Sequence, residues 1–260
     1  MQKRIAVLLS LVGFILTPSL VSSQFPLSVI WSTSHETGDF SDWHTGQEGS
    51  AVFNSGEAQV GVSTEAAHSG QYALKMEVWN IGQETTGARI FRWDEYLTEG
   101  YFSCWMMFPR LPQVNDWLNV FQFKKRDAHT GAVDPTWYNE IKNKPEGTVL
   151  TLTHWNQEWD IEPNVSVPTP LQPHQWFHLE WYYKDGVDDG ILHIWQNGTL
   201  VWDLRDINTR GIDPLIQWSP VLYGSDVEPD HLSLYVDDCA ISTERLGPEF
   251  FTIHELERLS

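Results

Sequence analysis

YFSCWMMFPRLPQVNDWLNVFQFKKRD, residues Tyr101 to Asp127, is the most patterned stretch of the 260-residue chain and decides how the rest is read. An apolar, aromatic run ends at Phe108-Pro109, and a second run starts at Trp117. In that second run Phe121 and Phe123 fall on one face of an extended strand, and Val120, Gln122 and Lys124 fall on the other. A buried face and a working face are therefore expected, with Gln122 and Lys124 on the working one.

Outward from this stretch, short alternating runs of aromatic and β-branched residues recur, separated by Gly, Pro, Asn and Asp. Strands are predicted at Ala51–Phe53, Ala58–Gly61, Tyr72–Val78, Ala88–Trp93, Tyr101–Phe108, Trp117–Lys125, Trp137–Lys142, Thr148–Trp155, Trp176–Lys184, Ile191–Gln196, Thr199–Asp203 and Leu232–Ser242. So many short strands with almost no helical pattern define an all-β chain, a two-sheet antiparallel β-sandwich. Asp185–Gly190 and the tight-turn pair Asn197-Gly198 join three consecutive strands into a meander. No repeat or composition break divides residues 24–247, which are read as one domain. The tail, 248–260, carries FFTIHELERL, the pattern of one short outer helix.

The first residues, MQKRIAVLLSLVGFILTPSLVSSQ, have a basic start, an apolar run too short to span a bilayer and small residues at Ser22-Ser23. They read as a secretory signal peptide over 1–23, which implies a secreted, extracellular or periplasmic protein without a membrane partner. The net charge of −19 excludes a general nucleic-acid or anionic-membrane surface. Basic residues are concentrated instead at Arg89, Arg92, Arg110, Lys124, Lys125, Arg126, Lys142 and Lys144, where a local site for an anionic ligand is possible. Cys104 and Cys239 are either one disulfide or two buried thiols. Asn164-Val-Ser and Asn197-Gly-Thr are glycosylation sequons, relevant in a eukaryotic host.

Five segments, WSTSHETGDFSDWH, AAHSGQYALKMEV, GYFSCWMMFPRL, QWFHLEWYYKDGVDDGILHIWQNGTLVWD and LSLYVDDCAIS, together resemble the concanavalin A-like jelly rolls of secreted carbohydrate-active proteins. Within them the chain most resembles polysaccharide lyases of the glucuronan lyase and heparin lyase I type. The resemblance implies a curved sheet whose concave face binds a sugar chain, and an enzyme cleaving a uronic-acid-containing polysaccharide by β-elimination. Such an enzyme neutralises the sugar carboxylate, removes the adjacent proton and protonates the leaving oxygen. Gln122-Phe-Lys124 is similar to a Gln-x-His pair of alginate lyase-like jelly rolls, with lysine in the place of histidine. Gln122 is then expected on the carboxylate with help from Arg89 or Asn139. Lys124, Tyr138 or His154 is the base, Lys124 being activated by Lys125 and Arg126, and Tyr138 is also a candidate acid. Arg89 and Arg92 fall on opposite faces of a regular strand, and Arg89 is the one expected in the groove.

Lys142 and the tryptophans Trp137, Trp155 and Trp159 are expected to bind the polysaccharide, the indoles by stacking on sugar rings. A rival constellation is Glu158-Trp-Asp160-Ile-Glu162, whose alternating carboxylates match the pattern of laminarinase-like retaining glycoside hydrolases on the same jelly roll. A carbohydrate-binding module without chemistry is the third reading. The resemblance also implies one structural Ca2+, with Glu36, Asp39 and either Asp237 or Asp238 as its ligands. No organic cofactor is expected, and the protein should act as a monomer on an anionic polysaccharide.

Overall fold

The computed structural model describes residues 28–43, 51–93, 97–126, 133–155, 160–210 and 215–251. The expected signal peptide and most of the tail lie outside them. In chain order the strands are β1 (Val29–Thr33), β2 (Val52–Ser55), β3 (Ala58–Ser63), β4 (Ala73–Val78), β5 (Thr86–Ile90), β6 (Arg92–Trp93), β7 (Glu99–Met107) and β8 (Gln113–Arg126). They continue with β9 (Val133–Lys144), β10 (Gly147–His154), β11 (Phe177–Lys184), β12 (Gly190–Gln196), β13 (Thr199–Ile207), β14 (Leu215–Glu228) and β15 (Leu232–Ser242). Among the described residues no helix is long and apolar enough to cross a membrane.

These strands form two antiparallel sheets, the jelly-roll sandwich expected from the sequence. One sheet runs β13-β12-β11-β7-β15-β4-β3, with β1 also on β15; the other runs β10-β9-β8-β14-β5-β2, with β6 also on β14. The expected meander is β11-β12-β13, and its tight turn places Asn197 at φ 50 and Gly198 at φ 78, the left-handed pair that matches strand twist.

The inner faces meet in an aromatic core. Phe121 stacks on Trp181 at 5.4 Å, Phe123 on Tyr183 at 4.7 Å, and Trp218 tilts against Trp43 at 5.3 Å. Each such pair adds about 0.5–1.5 kcal/mol beyond the area it buries. Lys125 enters the same side, its ammonium 2.7 Å from Asp185, whose other oxygen takes Arg210 at 2.8 Å. That placement corrects the expectation that Lys125 would stand beside Lys124 and activate it.

β14, which pairs with β8 along one edge and with β5 and β6 along the other, is absent from the predicted strands. Pro220, Gly224 and Asp226 interrupt the alternation of apolar residues along it. Pro220 sits where the register with β8 slips, and Asp226, with φ 52, sits at a second slip, positions at which strands tolerate such residues. Gly224 has a stricter reason, since a Cβ there would lie 2.6 Å from the Trp117 carbonyl oxygen. Across from the first slip, β8 has its own irregularity between Asn119 and Phe121. The extra residue, Val120, is fully buried in the core instead of sharing the face of Gln122, which corrects the strict alternation expected there.

Candidate functional site

The outer face of the β10-β9-β8-β14-β5-β2 sheet carries the site. Gln122 lies opposite Tyr138 on β9 and Ser219 on β14, and Tyr138 lies opposite Thr153 on β10. Directly opposed side chains share a face with Cβ atoms about 4.5–5.5 Å apart. Thr153, Tyr138, Gln122 and Ser219 thus form one row across four strands. Gln122 is the floor of this row, only 2% exposed, and its amide donates to Ser219 Oγ at 3.3 Å. Tyr138 is 9% exposed. Its phenol is pushed up to about 12, first by burial and then by Glu140 and Asp160, so it carries its proton at neutral pH.

Toward β5 and β2 the face opens into a pocket of about 180 Å³ lined by Phe53, Ser55, Gly87, Arg89, Lys124, Val221 and Tyr223. Arg89 is held by stacking, with its guanidinium 4.6 Å from the Phe53 ring. Its Nε is buried without a hydrogen-bond partner, and burial depresses the group's pKa. Arg92 turns the other way, over Trp31, and donates to the Asp42 carbonyl. The alternation argument thus chose the arginine that reaches the face. Gly87 makes room for Tyr223, since a Cβ there would fall 2.2 Å from the ring. Trp117 packs edge-on against Tyr223 at 4.8 Å.

Toward β9 and β10 the face changes character. Lys142 Nζ lies 2.6 Å from Asp160 and 3.5 Å from Glu140, and the single hydroxyl proton of Thr153 is within reach of either carboxylate, at 3.3 Å from Glu140 and 3.4 Å from Asp160. Burial raises the Glu140 carboxyl despite the lysine, whereas Lys142, which burial would lower, is raised on balance by Asp160 and Glu140 together. The two shifts agree once distance is considered, because the lysine sits closer to Asp160 and leaves Glu140 only partly compensated.

Several expected residues stand elsewhere. Asn139 points into the core, fully buried, accepting from Trp181 Nε1 at 2.9 Å and donating to the Thr151 carbonyl at 2.8 Å. Trp137 is on that same inward side, 4% exposed, and donates to the Asn208 carbonyl. His154 lies opposite Trp137, with its ring 4.6 Å away, and is therefore on the face opposite Tyr138. All three corrections follow from one fact: Tyr138 faces outward with Gln122, so its odd-numbered neighbours on β9 face inward. Trp155 is 48% exposed at the end of β10. Trp159 and Glu158 lie outside the described residues. Asp160 is the Lys142 partner, and Glu162 is exposed beside Ile161, whose single bridge to Leu152 is the strand pairing among the described residues of this segment.

Glu140, Asn119, Ser219, Tyr223, Trp117 and Phe53 were not anticipated. Glu140 was readable, being two residues from Tyr138 on the same strand and so on the same face. Ser219 and Tyr223 were hidden with β14, and Asn119 and Trp117 by the phase change at Val120.

The acids expected to hold calcium are hydrogen-bond acceptors around one loop. Glu36 Oε1 accepts the backbone N–H groups of Gln71 and Tyr72, and Asp237 Oδ2 those of His68 and Ser69. Asp238 takes His68 Nδ1 at 2.6 Å and Ser69 Oγ at 2.8 Å. Both aspartates are fully buried and reach the same two residues, because β15 slips in register between Asp237 and Ala240 and Asp238 has φ 47. The expectation that they point to opposite faces is corrected by that slip. Asp39 caps its own turn, accepting from Ser41 N and Oγ. Among the described residues no three His, Cys, Asp or Glu side chains are grouped to hold a metal ion. Cys104 and Cys239 are both free buried thiols, and burial pushes the Cys239 thiol up.

No protein-family model and no curated protein sequence matches the chain. Solved structures do. An endo-beta-1,4-glucuronan lyase from the fungus Trichoderma reesei superposes with a TM-score of 0.64 at 15% identity, covering 85% of this chain and 98% of that one. The cellulose-induced protein Cip1 superposes with a TM-score of 0.54 at 18% identity, covering 83% and 98%. The fold is therefore the jelly roll found in polysaccharide lyases, as the sequence resemblance implied.

Proposed function

We propose that this protein is a secreted polysaccharide lyase that cleaves a uronic-acid-containing chain by β-elimination. The observation that carries the reading is Arg89, a half-buried guanidinium whose buried Nε has no partner among the described residues and which lines, with Lys124, a pocket on the face that Gln122 and Tyr138 share. A partly desolvated cation with no ion pair among the described residues calls for an anionic ligand. A uronate carboxylate offers the planar, two-oxygen shape that a guanidinium binds best. In this reading Arg89 and Gln122 stabilise the carboxylate and the enolate-like charge that develops on it. Lys124, in its neutral form, removes the adjacent proton. Tyr138, protonated at neutral pH, gives its proton to the leaving glycosidic oxygen. His154 takes no part, since it lies on the other face. The fold shared with the glucuronan lyase supports the proposal without naming the substrate.

The test is incubation with glucuronan, alginate and heparin while following the ultraviolet absorbance of unsaturated uronates. Product that appears with the native protein and is lost in Tyr138→Phe supports the lyase; a flat trace on every uronate overturns it. New reducing ends on a neutral β-glucan, lost in Glu158→Gln, would establish the hydrolase instead, and binding without product would leave a carbohydrate-binding module.

Export and a monomeric state belong to the same proposal. They are checked by N-terminal sequencing of protein recovered outside the cell, with cleavage expected after Ser23, and by light scattering. Calcium enters as a structural ion only, on Glu36 and Asp237, because both carboxylates already hold the 68–72 loop and their oxygens suit a hard cation. A melting temperature that rises with calcium and falls with chelator supports it, and an unchanged one removes it.

A further inference from the structure

The two ends of the candidate groove differ in charge. At the β5 end stands Arg89, in a pocket that Lys124 of β8 also lines; at the β9 end Glu140 and Asp160 share the ammonium of Lys142. Arg89 and the Glu140 cluster are three strands apart in the order β9-β8-β14-β5, or about 14 Å at about 4.8 Å per strand. The surface between them is neutral, made of Gln122, Ser219 and Asn119. Different sugar units of one bound chain therefore meet the two ends.

We infer that the groove is built for a polysaccharide in which a uronate alternates with a sugar that bears no carboxylate, and that Glu140 and Asp160 are the specificity-determining residues. The inference rests on the reading of the groove as a uronate site. A uronate at the β9 end would bring a third carboxylate to a lysine already bridging two, with Glu140 only partly compensated. A neutral or N-acetylated sugar meets no such opposition there. Its hydroxyl and amide N–H groups find acceptors in Glu140 and Asp160, the latter only partly buried. The β5 end selects in the opposite sense, since Arg89 gains its counter-ion only from an acidic unit.

Affinities measured by calorimetry for two oligosaccharides of equal length test this: an oligoglucuronate, and an oligomer alternating glucuronate with N-acetylglucosamine. Both are measured in a Tyr138→Phe background so that neither is cleaved. The alternating oligomer is expected to bind at least about fivefold more tightly, the scale of one like-charge contact at about 4 Å fully screened by water. Glu140→Gln with Asp160→Asn removes two negative charges, frees Lys142, and is expected to reverse the preference. If the double variant does not fold, Glu140→Gln alone should narrow the preference. Equal affinity for both oligomers, unchanged by the substitutions, overturns the inference and leaves the uronate site standing. Binding of neither oligomer overturns both.

Discussion

Replacing Arg89 by Met should make the protein more stable and less functional at once. The guanidinium Nε is buried without a partner, and an unsatisfied buried donor costs about 1–3 kcal/mol. Its contact with Phe53, 4.6 Å from the ring, returns about 1 kcal/mol. The methionine keeps the packing on Phe53 and removes the unmatched charge, so the fold should gain about 1 kcal/mol, or about 3 °C in melting temperature for a domain of this size. Binding moves the other way. Two charge-assisted hydrogen bonds to a carboxylate are lost, and at about 1.5 kcal/mol net each the deficit is about 3 kcal/mol, or about 100-fold in affinity. Urea denaturation and titration of an oligouronate into the same preparation read both effects. An Arg89→Met protein destabilised by more than about 1 kcal/mol, with affinity unchanged, would refute the reasoning, because Arg89 would then be a structural residue.

The remaining expectations concern single groups. Tyr138→Phe should lower kcat by about 100-fold or more while leaving oligosaccharide affinity within about twofold, since it removes only the proton donor; a parallel rise in Kd would reassign the tyrosine to binding. Asp185→Asn leaves Lys125 buried beside a neutral amide and should cost about 4 kcal/mol in chemical denaturation; a cost under about 1 kcal/mol would show that solvent reaches the pair. His178 is pushed down to about 3 from 6.5, by burial first and then by His68 and Arg245. The unfolded chain binds that proton below 6.5 and the folded one does not. This contribution to stability is thus intact above 6.5 and is lost as pH falls toward 3, and a His178→Gln variant should flatten the profile. Gly87→Ala should displace Tyr223 from the pocket and weaken oligosaccharide binding, at a cost of about 1–3 kcal/mol in stability because the added Cβ meets the Cβ and Cγ of Tyr223 as well as its ring; intact affinity would show that Tyr223 does not touch the sugar.

The sandwich was legible because its signals are local. Alternating aromatics mark strands wherever they lie, and Asn197-Gly198 specifies its turn without help from elsewhere. The half of the site that rests on regular alternation was legible for the same reason, as Gln122, Lys124, Tyr138 and Arg89 all reach one face. Asn139, Trp137 and His154 were misplaced because assigning a face to β9 needs its partner's register, which is a tertiary fact. β14 was lost because Pro220 and Gly224 are strand breakers in isolation. They are tolerated only where β8 and Trp117 have made a place for them. The pairing of Glu140 with Asp160 joins residues 20 apart through Lys142, and no spacing rule anticipates it.

The extra residue at Val120 divides β8 into two segments of opposite parity: odd-numbered residues such as Trp117 and Asn119 face outward before it, and even-numbered Gln122 and Lys124 after it. Val120 and Phe121 are thus two consecutive inward residues, and Asn119 and Phe121 oppose the adjacent pair Glu140 and Asn139 on β9. Loss of Val120 by a single-codon deletion would therefore restore regular alternation and keep Trp117, Asn119, Gln122 and Lys124 on the binding face and Leu118 in the core. What would change is the local bend and twist that the bulge puts into β8, so length variation at this one position re-aims the two halves of the face without replacing any residue on it.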